Sequence, residues 1–475
     1  MSVNKKIDAI SPLDGRYYKD LSELSAFFSE EALFKYRLKV EIEYFKLLLK
    51  EISNFDLDQN QNQSNFLKSI IDNYNDRTYQ EIKSIEAQTN HDVKAVEIFL
   101  RNKLLEVFPK NLLNLIHFGL TSEDVNNISY NLLIKDYITK IHLPSLKSLL
   151  HSLLILSSKY KNSPWPARTH GQMATPTTAG KELAVYLNRL FIVYKKINSF
   201  EFYSKLNGAT GNFSAMVFAA KEIDWYSLAD KFINSFGLKT NIITTQIEDN
   251  DNLAELFFLL KRQNNILIDF NRDMWMYISY GYLKNLADPN NTKEIGSSTM
   301  PHKINPINFE NSEGNSLLSN NLLNLLADEL TRSRMQRDLV GSTLFRNVGV
   351  AMAHSYLALK NVLKGLKRID VDENVTKAVL ESNPSLLSEP IQTKLKMLQI
   401  MNSSANDEDD PYELTKQYFR GKSNDRESYA KFVNSLNISE KQKKIFIELE
   451  VKEYIGIAPK LAERVIEEVN NYFKF

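Results

Sequence analysis

Cysteine is missing altogether from the 475 residues, which excludes disulfides, zinc–thiolate centres and thiol nucleophiles. Glycine (15) and proline (13) are scarce. Long stretches therefore run without a breaker, which favours helices over many short strands. An excess of either charge is missing too: 59 Lys and Arg face 58 Asp and Glu, a formal net charge of +1. That balance leaves no global electrostatic footprint for DNA, RNA or a membrane surface, so an anionic ligand must be held by a local cluster of cations. No apolar run is long enough to span a bilayer. Residues 1–14 carry Lys5, Lys6 and Asp8 without the apolar stretch of a secretory signal, and the cytoplasm is the expected compartment.

What is present fits a folded helical protein: 43% hydrophobic and 25% charged residues, on a chain long enough for several domains and a large core. In residues 252–280, Leu253, Leu256, Phe257 and Leu260 recur at helical spacing, followed by Leu267, Phe270, Met274 and Ile278. Residues 145–160 and 316–330 repeat the pattern. The expectation is an all-α fold with three helical domains: 1–109, a central long-helix bundle over 110–367, and 368–475. The Asn/Gln-rich stretch 56–65 reads as a surface loop, and 402–411 carries an acidic cluster.

Residues 296–306 read Gly-Ser-Ser-Thr-Met-Pro-His-Lys-Ile-Asn-Pro, between two long helical stretches. The segment resembles the G-S-S-x-M-P-x-K-x-N-P signature of the fumarase/aspartase superfamily, whose members break a C–N or C–O bond and release fumarate. Such an elimination removes a proton from the carbon beta to the leaving group, and the resulting aci-carboxylate needs stabilisation where its charge develops. Lys303 and Asn305 supply a cation and an amide donor suited to it. The resemblance implies that Ser297 is the general base, with Ser298 the alternative, and places Met300 at the substrate. A serine alkoxide requires nearby positive charge and backbone N–H groups.

Further segments resemble the adenylosuccinate lyase family, in the longer bacterial form. In Arg168-Thr169-His170-Gly171-Gln172, the resemblance makes His170 the general acid and puts Thr169 and Gln172 on the fumaryl part. Histidine suits that role because its pKa lies near operating pH. Gln88-Thr89-Asn90-His91-Asp92-Val93-Lys94-Ala95-Val96-Glu97 and Gly119-Leu120-Thr121-Ser122-Glu123-Asp124 are family blocks as well. They offer Asn90, Asp92, Thr121 and Ser122 to the substrate, and His91 either as a substrate or support residue or as a helix cap. Phosphate binding is implied for Arg16 and Tyr17 in Asp14-Gly15-Arg16-Tyr17, and for Arg337, Ser342, Thr343 and Arg346. An Arg fork beside hydroxyls suits a phosphate. Gln246 and Asn311 complete the implied contacts. Ser388-Glu389-Pro390-Ile391-Gln392-Thr393 and Arg420-Gly421-Lys422 resemble the C-terminal domain of the same family. The chain departs from the family where Asp249-Asn250 stands in place of Pro-His.

The resemblance further implies two phosphorylated succinyl-amino nucleotide substrates, adenylosuccinate and the succinylcarboxamide imidazole ribonucleotide (SAICAR). It implies a homotetramer with composite active sites, and no metal, organic cofactor, nucleic acid or membrane partner. The rival activities are argininosuccinate lyase and fumarase, whose substrates carry no phosphate. A non-catalytic helical oligomer is the rival of another class.

Overall fold

The computed structural model describes residues 9–288, 293, 295–296, 298–401, 410–421 and 425–475. Ser297, Lys422 and most of the acidic cluster at 402–411 lie outside the described residues. Helices dominate; the strands are two or three residues long and pair in twos. Contacts group the chain into two compact units, residues 1–146, 193–267 and 312–360 in one, and 147–192, 268–311 and 361–475 in the other. This grouping does not follow chain order. No helix among the described residues is long and apolar enough to cross a membrane.

In the first unit, α1 (Glu30–Glu51) starts at Ser29, whose hydroxyl accepts the Ala32 N–H at 3.0 Å, with Glu30 and Glu31 in the first turn. Both features favour a helix N-terminus. Its core stripe of Phe34, Leu38, Ile42, Phe45 and Leu49 is buried, and so, unexpectedly for a core face, are Arg37 and Glu41. Next come α2 (Gln61–Asp72), α3 (Asp76–Thr89), α4 (Asp92–Leu104) and α5 (Ser122–Tyr137). Helix α2 corrects the loop expected over 56–65: its second half is helical because Leu67, wholly buried, anchors an apolar face beyond the Asn/Gln run. Beyond α5 a π-helical turn, Ile138–His142, leads into α6 (Leu143–Lys159).

His142 is fully buried in that turn, with Nε2 2.9 Å from Gln263 Oε1 and Nδ1 3.2 Å from the Tyr137 hydroxyl. Burial pushes its pKa down to about 4. Between pH 6.5 and 4 the unfolded chain therefore binds a proton that the folded one refuses, so stability falls as pH drops through this window. The whole window amounts to about 3 kcal/mol. Comparing melting temperatures at pH 7 and pH 5, His142→Gln should flatten the acid-side loss. An unchanged slope would show that His142 is not its source.

The second unit holds parts of α6, α7 (Ala179–Asn198), α8 (Asp251–Ser279), α9 (Ile307–Leu330) and, after α10 (Val340–Phe345), of α11 (Val348–Leu366). The helices expected over 145–160, 252–280 and 316–330 are α6, α8 and α9; α9 begins nine residues before the expected start, at Ile307. The last helix, α12 (Ala458–Phe473), buries Ala458, Ala462, Ile466 and Val469 at the i, i+4, i+8, i+11 spacing of an amphipathic helix. A separate apolar cluster, including Leu387, Ile391, Tyr429, Val433 and Phe446, forms the core of the C-terminal segment.

Candidate active site

In the first unit the α3–α4 turn is built from three residues singled out in the sequence. Asn90 ends α3 in the left-handed conformation (φ 53°), which asparagine tolerates better than most residues, and donates its N–H to Glu86 O at 2.8 Å. His91 then caps α4, its Nδ1 accepting the Lys94 N–H at 3.2 Å. The cap fixes the ring and leaves Nε2 to carry the proton of a neutral imidazole. Asp92, the first residue of α4, accepts the Val93 N–H at 2.9 Å and pairs with Arg37 at 2.9 Å and Arg346 at 3.8 Å. Burial would raise its carboxyl, but the Arg37 guanidinium and these contacts hold it below the usual range.

The start of α5 is fixed by a wholly buried ion pair. Asp124 accepts the Thr121 N–H at 2.8 Å through one oxygen; the other takes Lys205 Nζ at 2.8 Å and the N–H groups of Asn207 and Gly208 at 3.0 and 3.3 Å. Both side chains have zero exposure. From that loop Ala209 O accepts Gln246 Nε2 at 2.8 Å, and Gln246 Oε1 accepts Arg337 Nη1 at 3.1 Å. Arg337 Nη2 lies 3.4 Å from Glu123, whose carboxyl burial pushes up against the pull of that cation. The contacts thus close a ring through 121–124, 205–209, 246 and 337, which holds the Thr121-Ser122 turn, Gln246 and the Arg337 fork in one arrangement.

A cavity of about 310 Å³ opens beside this ring. Asn90, His91, Asp92, Ser122, Arg337, Ser342 and Arg346 all line it. So do Arg37, Glu123, Tyr130 and Arg332, which sequence reasoning did not single out, and Asn250, noted there only as a departure from the family pattern. Ser342 stands on α10 and Arg346 immediately follows it; Thr343, on the same helix, is exposed and not in the lining. Arg16 is exposed and Tyr17 half-buried, in a turn where Tyr17 N–H donates to Pro12 O at 2.9 Å; neither lines the cavity. The departure from the family pattern has a local structural effect. Asn250, buried at φ 62°, donates through Nδ2 to Glu248 O and to Leu330 O at 3.0 and 3.1 Å, tying the Gln246 segment to the end of α9. Burial lifts the neighbouring Glu248 carboxyl to about 7.

The second unit carries the remaining residues. Thr169 and Gln172 pair across a minimal hairpin, β1 (Arg168–Thr169) against β2 (Gln172–Met173), and its two-residue turn is His170-Gly171. Both turn residues have positive φ, 52° and 73°, the pattern of a type I′ turn. His170 is therefore presented at the hairpin tip, exposed. The hairpin is anchored by Arg168, which donates to Gly171 O at 3.0 Å and Tyr282 Oη at 3.1 Å and lies 4.4 Å from the Tyr280 ring centroid. Three residues after Tyr282, Asn285 Nδ2 reaches Ile304 O at 3.2 Å in the signature loop. Asn305 closes that loop by donating to Gly296 O at 2.8 Å. A Cβ at Gly296 would collide with the Lys303 carbonyl, which is why glycine precedes the proposed base. Ser298, Met300 and Lys303 are exposed, and Asn311 is half-buried early in α9. No cluster of metal-ligating side chains occurs among the described residues.

Comparison with known proteins places these motifs in a family. Residues 15–318 match the family model described as lyase, and residues 333–455 that described as adenylosuccinate lyase C-terminal. The adenylosuccinate lyase of Buchnera aphidicola subsp. Acyrthosiphon pisum is 42% identical over 97% of this chain and 99% of its own length. That of Escherichia coli K12 is 40% identical over 95% and 97%. Among solved structures, fumarate lyase from Mesorhizobium sp. BNC1 (TM-score 0.74, 15% identity, 94% of this chain and 97% of that one) has the same fold. So does 3-carboxy-cis,cis-muconate lactonizing enzyme from Pseudomonas putida (TM-score 0.73, 17% identity, 95% and 98%). With both family models matched in order and 40–42% identity to these adenylosuccinate lyases over nearly the full length, the chain belongs to the adenylosuccinate lyase family of fumarate-releasing lyases.

Proposed function

We propose that the protein cleaves adenylosuccinate to AMP and fumarate, and SAICAR to its aminoimidazole carboxamide ribonucleotide and fumarate. The observation that carries the nucleotide reading is the cavity of the first unit, where Arg337, Arg346 and Ser342 converge beside Ser122 at a helix N-terminus. Guanidiniums, hydroxyls and a helix start are the groups that bind a phosphate dianion. Ser297 takes the proton from the carbon beta to the leaving nitrogen. The electron pair of that C–H bond moves into the neighbouring carboxylate, whose doubled charge Lys303 and Asn305 stabilise. It then forms the C=C bond as the C–N bond breaks, and His170 protonates the nitrogen. Its place at the tip of a rigidly anchored hairpin supports that role. Ser297 also neighbours Gly296, whose carbonyl Asn305 holds, so base and stabilising amide belong to one loop.

The protein acts as a homotetramer in which residues of several subunits complete each site, and it works in the cytoplasm. Exposed Leu317, Leu318 and Leu325 on α9 and Phe258 on α8 support self-association through the long helices. Fumarate release from adenylosuccinate, argininosuccinate and malate, with Ser297→Ala as control, tests the activity. Release from adenylosuccinate alone, lost in the variant, is expected. Turnover of argininosuccinate or malate instead would overturn the phosphate assignment.

A further inference from the structure

Arg37 lies in the middle of α1, on the same face as Phe34, Leu38 and Leu48, and is only 4% exposed. A cation in that position requires partners, and the two it has belong to other segments. Its Nε donates to Asn126 Oδ1 at 2.9 Å, and its Nη1 pairs with Asp92 Oδ2 at 2.9 Å. The same Asp92 oxygen lies 3.8 Å from Arg346, a side chain that is 68% exposed. One carboxylate therefore sits between two guanidiniums, tightly paired to the buried one and loosely to the exposed one. All three line the 310 Å³ cavity.

We propose that Arg37 is a positioning residue for the phosphate end of the site, an inference that rests on the nucleotide reading above. By neutralising Asp92 it does two things. It keeps a buried-edge carboxylate from repelling the incoming phosphate, and it leaves Arg346 without a full counter-charge, so that Arg346 can turn to the phosphate. Without Arg37, Asp92 has Arg346 as its remaining guanidinium partner; the pair closes and the cavity loses both a cation and a neutralised anion. The triad carries a net charge of +1 toward the cavity only while Arg37 is in place. Asn126 fixes the guanidinium plane, so that lysine cannot reproduce the two-point hold.

The test is the KM-against-kcat split for adenylosuccinate, together with calorimetric AMP binding, in the full-length protein and its variants. Arg37→Gln should raise KM and weaken AMP binding roughly tenfold or more, with kcat within about threefold, the pattern of lost uniform binding. Adding Asp92→Asn to it removes the uncompensated charge and should restore most of the AMP affinity, a rescue that a purely structural defect would not show. Arg37→Lys keeps the charge but not the two-point hold and should weaken AMP binding by a smaller factor than Arg37→Gln, which keeps the test open if Arg37→Gln fails to fold. Wild-type AMP affinity in Arg37→Lys or in folded Arg37→Gln, or an unrescued double variant, would each overturn the proposal. A wild-type protein indifferent to AMP would instead overturn the nucleotide reading, and this inference with it.

Discussion

His170→Asn is expected to lower kcat for fumarate release by about 10²–10⁴-fold while leaving the fold intact. Asparagine is chosen because of the backbone at this position. His170 and Gly171 both sit at positive φ in a two-residue turn, and Asn-Gly is the sequence that such a turn prefers. The hairpin in the variant should be at least as well formed as in the wild type, with Arg168 still bonded to Gly171 O and Tyr282. What disappears is the titratable nitrogen, since an amide cannot deliver a proton to the leaving group near neutral pH. An unchanged melting temperature with activity lost separates chemistry from folding. Near-normal turnover in this variant would show that another group is the acid.

Asp124→Ala should produce the largest stability loss of any single change considered. Lys205 would be left with zero exposure and without its carboxylate, keeping only Gly208 O at 3.2 Å. Removing one partner of a buried pair costs about 3–5 kcal/mol, chiefly because the remaining charge is stranded. Three backbone donors, from Thr121, Asn207 and Gly208, would lose their acceptor at the same time. Replacing both members, as in Asp124→Leu with Lys205→Met, should cost less than Asp124→Ala alone. Thermal unfolding of the three variants decides the matter. A drop of less than about 1 kcal/mol for Asp124→Ala would mean that water or a rearranged loop takes over the pairing. Activity should suffer too, because the same carboxylate fixes the turn carrying Thr121 and Ser122.

The helical class was legible from the sparse Gly and Pro and from the Leu periodicity, since both act locally. The grouping into units was not, because α6, α7, α8, α9 and α11 each contribute residues to both units and chain order carries no trace of that. Seven of the residues chosen by motif do line one cavity. Arg37 escaped notice because its partners, Asn126 and Asp92, lie 89 and 55 positions away. The only local hint was a charged residue on the apolar stripe of α1. The hairpin at His170 was equally hidden: two-residue strands leave no alternation to read, although a His-Gly pair has the positive-φ tolerance that a tight turn uses. Asn250 is the converse case, a visible departure from the family pattern whose role, binding Leu330 O, depends on a helix end eighty residues on.

The central claim is that the protein eliminates fumarate from a phosphorylated substrate whose phosphate the Arg337–Arg346 cavity recognises. The most direct test measures kcat/KM for fumarate release from adenylosuccinate beside its dephosphorylated nucleoside. The account predicts turnover of the nucleotide and a loss of about 10³-fold or more for the nucleoside, because the site's cations and hydroxyls would be left unpaired. Equal turnover of the two would contradict it.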